Sequence, residues 1–186
     1  MATLNIRDEG RALTDPREIQ AFLSPFGIWY RRFEGGDDLP ADADNAAILA
    51  AYDAPIQTLM REGGYVTADV INITPDLPNL DVMLAKFDKE HWHDEDEVRF
   101  IVGGSGLFHI HPKDGPVFSV EVVAGDMINV PSGTLHWFHL CQERAIRAIR
   151  LFQSQAGWTP RYTDSGADAG FTPMCFGPNY LPPSIG

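Results

Sequence analysis

Cysteine is scarce in this chain: Cys141 and Cys175 are the two in 186 residues. Two are too few for a disulfide framework, and without a CxxC pair there is no thiolate metal site or dithiol redox centre to read. Any metal must then be held by nitrogen and oxygen. Positive charge is scarce as well. Lys+Arg is 14 against Asp+Glu 26, a net charge of -12, and such a field repels phosphate backbones and anionic lipid. Nucleic acid and membrane surfaces are therefore excluded as expected partners, and the charge favours a soluble monomer. Long apolar runs are missing too. No stretch reaches the roughly 18 apolar residues of a spanning helix, and the opening MATLNIRDEG has neither a basic stretch nor an apolar one. The expectation is a cytoplasmic protein. No internal repeat is visible.

What is present suffices for a core: 44% hydrophobic and 11% aromatic residues against 22% charged. A chain of this length fits one domain spanning 1–186. Asp15, Pro16 and Glu18 read as N-cap, first helical position and third-position carboxylate of a short helix running to about Ser24. IWYRRF (28–33) has strand composition. From Asp38 to Gly64 an Ala-rich helical pattern carries Pro55, which should break or kink it near Asp53, so two helices are expected, ending at Gly63-Gly64. Residues 1–64 thus form an arm with short helices. From Tyr65 the pattern changes to strands, at 65–73, 97–102, 106–111, 116–123, 126–130, 136–140 and 145–152, with one helical interlude at Leu80–Phe87. Gly and Pro lie between these strands, which predicts an antiparallel sandwich or barrel over 65–156. Residues 157–186, rich in Gly, Pro, Asp and Ser, read as an irregular C-terminal extension.

The six histidines fall in pairs: His91/His93, His109/His111 and His136/His139. In EHWHDEDEVRF, His91, His93, Glu97 and Arg99 all occupy odd positions and share one face of an extended chain. Two imidazoles and a carboxylate suit Fe(II), Ni(II), Mn(II) or Zn(II). His136, after the turn residues Pro131 and Gly133, can complete the set. His109 and His111 have no carboxylate at the corresponding spacing and are set aside. His139 has the opposite parity to His136. In AIRAIRLF both faces are apolar, so parity cannot choose whether Arg147 or Arg150 points inward. Asp94, Glu95 and Asp96 read as solvated surface, with one of them a possible base at the site mouth.

These residues resemble the cupin superfamily. The spacing of His91, His93, Glu97 and Gly104 is similar to its first motif, and that of Gly125, Pro131, Gly133 and His136 to its second, with departures at Ala85 and Leu140. The resemblance implies a mainly β fold, a double-stranded β-helix or jelly-roll barrel with a few short flanking helices, holding a metal. A narrower resemblance, to the acireductone dioxygenase family of methionine salvage, rests on DVINI (69–73), EHWHDEDEVRFIVGGSGLF (90–108), GDMINVPSGTLHWF (125–138), AIRLFQSQAGW (148–158) and TDPREIQAFLSPFGIWYRRFEG (14–35). It implies one Fe2+ or Ni2+ held by His91, His93, Glu97 and His136. The implied partners are O2 and an acireductone, 1,2-dihydroxy-3-keto-5-methylthiopentene. Arg99 and Arg150 match positions expected to steady the substrate anion, and Phe87, Trp137 and Phe138 are candidates for a pocket around its methylthio tail. With iron the implied products are formate and 2-keto-4-methylthiobutyrate; with nickel they are formate, carbon monoxide and 3-methylthiopropionate. A cupin that only binds a ligand, and a cupin enzyme with another substrate, are the alternatives.

Overall fold

Leu4, Ile6 and Leu13 are buried, and in the computed structural model they anchor two strands, β1 (Thr3–Ile6) and β2 (Arg11–Leu13), that the sequence patterns did not suggest. The structure describes residues 1–34, 39–40, 42–154, 158–171 and 173–175. Asp15 caps α1 (Pro16–Leu23): its Oδ1 accepts from the amides of Arg17 and Glu18, and Pro16 sits where no amide donor is needed. After β3 (Tyr30–Arg32) the helical stretch divides into α2 (Asn45–Ala51) and α3 (Asp53–Gly63). Asp38, its expected start, lies outside the described residues. The break falls at Tyr52, beside the expected Asp53, and Pro55 lies in the first turn of α3, where a missing N–H costs no helical hydrogen bond. There follow β4 (Thr67–Ile73), α4 (Leu80–Leu84), β5 (His91–Trp92), β6 (Glu97–His111), β7 (Phe118–Val123), β8 (Asp126–Val130), β9 (Leu135–Leu140), β10 (Ile146–Phe152) and β11 (Arg161–Tyr162).

Where two strands were expected around Gly103-Gly104, one 15-residue strand runs through. Gly104 has φ +71, and a Cβ there would meet the Ala145 carbonyl oxygen at 2.1 Å. Beside it the register with β10 slips between Arg147 and Ala148. This bend lets β6 serve two sheets. Its first half pairs with β8 and β10, its second with β7 and β9. One sheet runs β11-β5-β9-β6-β7-β1-β2, the other β4-β10-β6-β8-β3, with antiparallel pairing throughout. This is the jelly roll of the cupin fold.

Two cores result. Between the sheets lie Leu4, Ile101, Phe108, Ile110, Val120, Ile128, Ile146 and Ala148. Outside the second sheet, α2 and α3 lay Ile48, Tyr52, Ile56 and Leu59 on Val98, Phe100, Ile149 and Leu151. β10 is therefore apolar on both faces because both faces are covered, one by the barrel interior and one by helices. Cys141 and Cys175 form a disulfide, Cα atoms 5.8 Å apart. It staples the C-terminal segment to the end of β9, a single tie rather than a framework. The segment expected to be irregular also contributes β11, which pairs with β5. Residues 176–186 of that extension lie outside the described residues.

Gly104→Ala is expected to lower stability by about 1–3 kcal/mol, since the new methyl group meets backbone at a positive φ. Urea unfolding of the two proteins measures it; an unchanged midpoint would mean that β6 does not need its bend.

Candidate metal centre

The extended chain at β5 turns His91 and His93 to the barrel interior, and Glu97 opens β6 on the same face. His136 arrives from β9, directly opposite His91 in the ladder. The turn at Pro131–Thr134 makes this possible: the Gly133 amide donates to the His93 carbonyl at 3.0 Å and the Thr134 amide to the Pro131 carbonyl at 3.1 Å. All four side chains are buried. Ring centroids lie 4.5 Å apart for His91 and His136, 4.9 Å for His91 and His93, and 5.2 Å for His93 and His136. Among the described residues these three histidines are the one group of three or more His, Cys, Asp or Glu placed to hold a metal ion.

Hydrogen bonding fixes which nitrogens face inward. Nδ1 of His91 donates to the Lys89 carbonyl at 2.7 Å, that of His93 to Thr159 at 3.2 Å and that of His136 to Thr134 at 2.8 Å. A carbonyl only accepts, so each Nδ1 carries the hydrogen and each neutral ring presents its Nε2 lone pair to the centre. Glu97 Oε2 lies 3.0 Å from Nε2 of His136 and 3.2 Å from Nε2 of His93. These are acceptors facing acceptors. Such contacts are stable only with a positive charge between or upon them, and a divalent cation meets that need for all four residues. Burial pushes the His91 imidazole down to about 4, so His91 stays neutral and able to ligate. Burial alone would raise the Glu97 carboxyl, but the Arg99 guanidinium beside it, with the imidazoles of His136 and His93, more than offsets this and holds it well below the usual carboxylate range.

Two arginines adjoin this cluster. Arg99 and Arg150 are directly opposed on β6 and β10, and Asp69 of β4 is opposed to Arg150. Arg99 Nε donates to Glu97 Oε1 at 2.8 Å, while Arg150 makes a two-pronged ion pair with Asp69, Nε to Oδ1 at 2.7 Å and Nη2 to Oδ2. Trp158 covers both guanidiniums, 4.6 Å from Arg99 Cζ and 5.7 Å from Arg150 Cζ to the ring. Burial lowers the Arg99 pKa against the pull of Glu97. Its Nη1 is buried and has no hydrogen-bond partner among the described residues. Like charges opposed across a ladder repel. Both arginines line a cavity of about 310 Å³ with His91, Glu97 and His136, and most of the remaining lining is apolar, Ile71, Met83, Phe87, Phe108 and Phe138 among it.

The profile of the ARD/ARD′ family matches residues 33–160. The chain belongs to that family. It is 44% identical over 165 residues to an acireductone dioxygenase of Picosynechococcus sp., covering 89% of this chain and 94% of the relative. The acireductone dioxygenase of Parvibaculum lavamentivorans is 45% identical over 159 residues, 84% of this chain and 86% of the relative. Among solved structures, the acireductone dioxygenase from Bacillus anthracis with a cadmium ion in its active centre superposes with a TM-score of 0.79 at 36% identity, covering 87% of this chain and 98% of that one.

Within this family framework the structure separates the candidate residues. It brings together His91, His93, Glu97, His136, Arg99, Arg150, Phe87 and Phe138. Trp137, expected in the substrate pocket, is a correction: it does not line the cavity. Strand alternation turns it to the other face of β9, where it stacks on His109 with centroids 5.0 Å apart and meets Phe171 at 5.5 Å. The parity that placed His139 outside applies equally to Trp137. His109 lies in this outer layer beneath the C-terminal segment, and His111 reaches Glu90. Arg147 does not line the cavity; its Nε donates to Asn72 Oδ1 at 3.4 Å. Asp94 pairs with Arg161, Glu95 accepts from the Ser154 amide, and Asp96 accepts from the Ser132 amide. All three acids therefore have structural partners. Sequence reasoning missed Asp69, though alternation in DVINI marked its face, and missed Trp158 and Thr159. Trp158 closed one of the family-like segments, yet nothing local showed that it folds back over His93, 6.1 Å between ring centroids. Residues 155–157 of that segment lie outside the described residues.

His93→Ala is expected to abolish retention of Ni2+ through gel filtration, whereas His109→Ala retains it. Elemental analysis of the two eluted proteins decides; loss in the second would move the ion to the outer layer.

Proposed function

We propose that this chain is an acireductone dioxygenase of methionine salvage, cleaving 1,2-dihydroxy-3-keto-5-methylthiopentene with O2. The observation that carries the reading is the contact of Glu97 with the Nε2 atoms of His93 and His136, which calls for a cation, beside two guanidiniums on the same cavity. His91, His93, Glu97 and His136 would hold one Fe2+ or Ni2+ per chain. When bound, that ion supplies Lewis acidity and a template for the ene-diol oxygens.

The chain's own residues do the rest. Arg99 Nη1 donates to the ionised substrate, and Arg150, held by Asp69, adds a second positive charge beside it. The fixed guanidiniums favour the anion, the electron-rich form that O2 attacks. Phe87 and Phe138, with Ile71 and Met83, receive the methylthio tail, a fit of apolar wall to thioether. Trp158, lying over both guanidiniums, limits their contact with water. With iron the products are formate and 2-keto-4-methylthiobutyrate; with nickel they are formate, carbon monoxide and 3-methylthiopropionate. The same four ligands serve both metals. The reading extends to a cytoplasmic monomer, its net charge of -12 opposing self-association. Reducing conditions there would keep Cys141 and Cys175 as thiols.

Iron-loaded and nickel-loaded protein, each given acireductone in air, should consume it faster than its spontaneous oxidation, with formate in both and carbon monoxide only with nickel. If neither form accelerates substrate loss, the reading fails. Arg150→Ala should lower kcat/KM by about ten- to a hundredfold, the scale of one charge-assisted hydrogen bond, with metal content unchanged; steady-state kinetics beside elemental analysis measure both.

A further inference from the structure

Glu90 directly precedes His91 and faces the opposite way. It is 2% exposed, and burying a carboxylate is costly unless donors surround it. They do. Its Oε1 accepts from Thr163 Oγ1 at 2.6 Å and from Ser165 Oγ at 2.5 Å, and its Oε2 accepts from His111 Nδ1 at 2.5 Å. Its carbonyl accepts from the Thr163 amide at 3.3 Å. Three separate parts of the chain thus meet on one side chain: β5 itself, the end of β6, and the C-terminal segment.

The C-terminal partners are the continuation of β11, whose Tyr162 is opposed to His91 in the ladder. A few residues earlier the same segment supplies the Thr159 carbonyl that accepts from His93 Nδ1 and the Trp158 ring that lies over His93 and Arg99. Residues 158–165 therefore form a strap across β5, with Glu90 at one end and the His93 contact at the other. Among the contacts of His93, the strap alone gives Nδ1 a carbonyl. That carbonyl sets the tautomer and ring plane by which Nε2 faces the metal site.

We propose that Glu90 is a positioning residue for the metal centre: it latches the 158–165 strap, and through Thr159 and Trp158 it orients His93. The inference rests on the reading of His91, His93, Glu97 and His136 as the metal ligands. It also gives His111, set aside in the sequence as a non-ligand, a place in the assembly as the third donor to the latch.

The test uses the full chain under reducing conditions, so that the Cys141–Cys175 tie does not hold the segment in place. Glu90→Ala should weaken Ni2+ affinity, measured by chelator competition, by about ten- to a hundredfold, the usual effect of removing an outer partner of a metal ligand. It should also speed amide exchange across 158–165. Glu90→Gln should restore affinity to within about threefold, because its amide can accept from His111 and donate to both hydroxyls. The double change Thr163→Val with Ser165→Ala keeps Glu90 but removes two of its donors, and it should reproduce part of the loss should Glu90→Ala not fold. A folded Glu90→Ala protein, or a folded double variant, with wild-type Ni2+ affinity would overturn the proposal even if its melting temperature fell. Slower or unchanged exchange in the strap would do the same. Failure of the underlying ligand reading is separable: His93→Ala would then retain Ni2+, whereas failure of the latch alone leaves His93→Ala metal-free and Glu90→Ala fully loaded.

Discussion

Lone pairs that face one another hold the key to this structure. Backbone carbonyls at Lys89, Thr159 and Thr134 claim the Nδ1 hydrogens of three buried imidazoles, which turns the Nε2 lone pairs toward one another and toward Glu97. Left to itself this arrangement is repulsive, and each group has lost its water. The fold tolerates it because strands from several parts of the chain are locked by their own ladders: β5, the start of β6 and β9 cannot move apart without breaking sheet pairing. The repulsion is what a cation relieves, so the architecture that stores it is also the architecture that selects an N/O metal.

The same economy governs the arginines. Arg99 and Arg150 oppose each other inside a chain whose overall charge is negative. Each is answered by one carboxylate, Glu97 for Arg99 and Asp69 for Arg150, and Trp158 lies over both. What is left over among the described residues is one buried donor, Nη1 of Arg99, a residue that lines a largely apolar cavity. Net charge therefore says little about the ligand. On the proposed function, an anion would enter an acidic protein because the local field, set by two guanidiniums and a metal centre, dominates over distant surface carboxylates screened by water.

Much of the site was legible from the chain. The alternation of His91, His93, Glu97 and Arg99 placed four groups on one face, and strand geometry has little freedom to do otherwise. The turn residues before His136 foretold a return to the barrel. Other features were hidden for identifiable reasons. β1 and β2 are short, and their apolar residues acquire meaning only against β7 and α1. Trp137 was misplaced although its parity was readable, because an aromatic beside a ligand invited a pocket role that alternation forbids.

By itself the sequence determined the things that follow from spacing and chemistry along one strand: the N/O character of the metal site, the shared face of the ligand residues, and the antiparallel β architecture punctuated by Gly and Pro. Tertiary structure alone decided the contacts between residues distant in the chain. It chose Arg150 over Arg147, since both faces of β10 are apolar and only the helices on its outer side show which face is the barrel's. It brought Asp69 to Arg150, Cys175 to Cys141, and Trp158, Thr159, Thr163 and Ser165 back across β5. Periodicity reports which way a side chain points; only packing reports what it meets there, because the partner's position is set by sheet register and chain return rather than by any local preference.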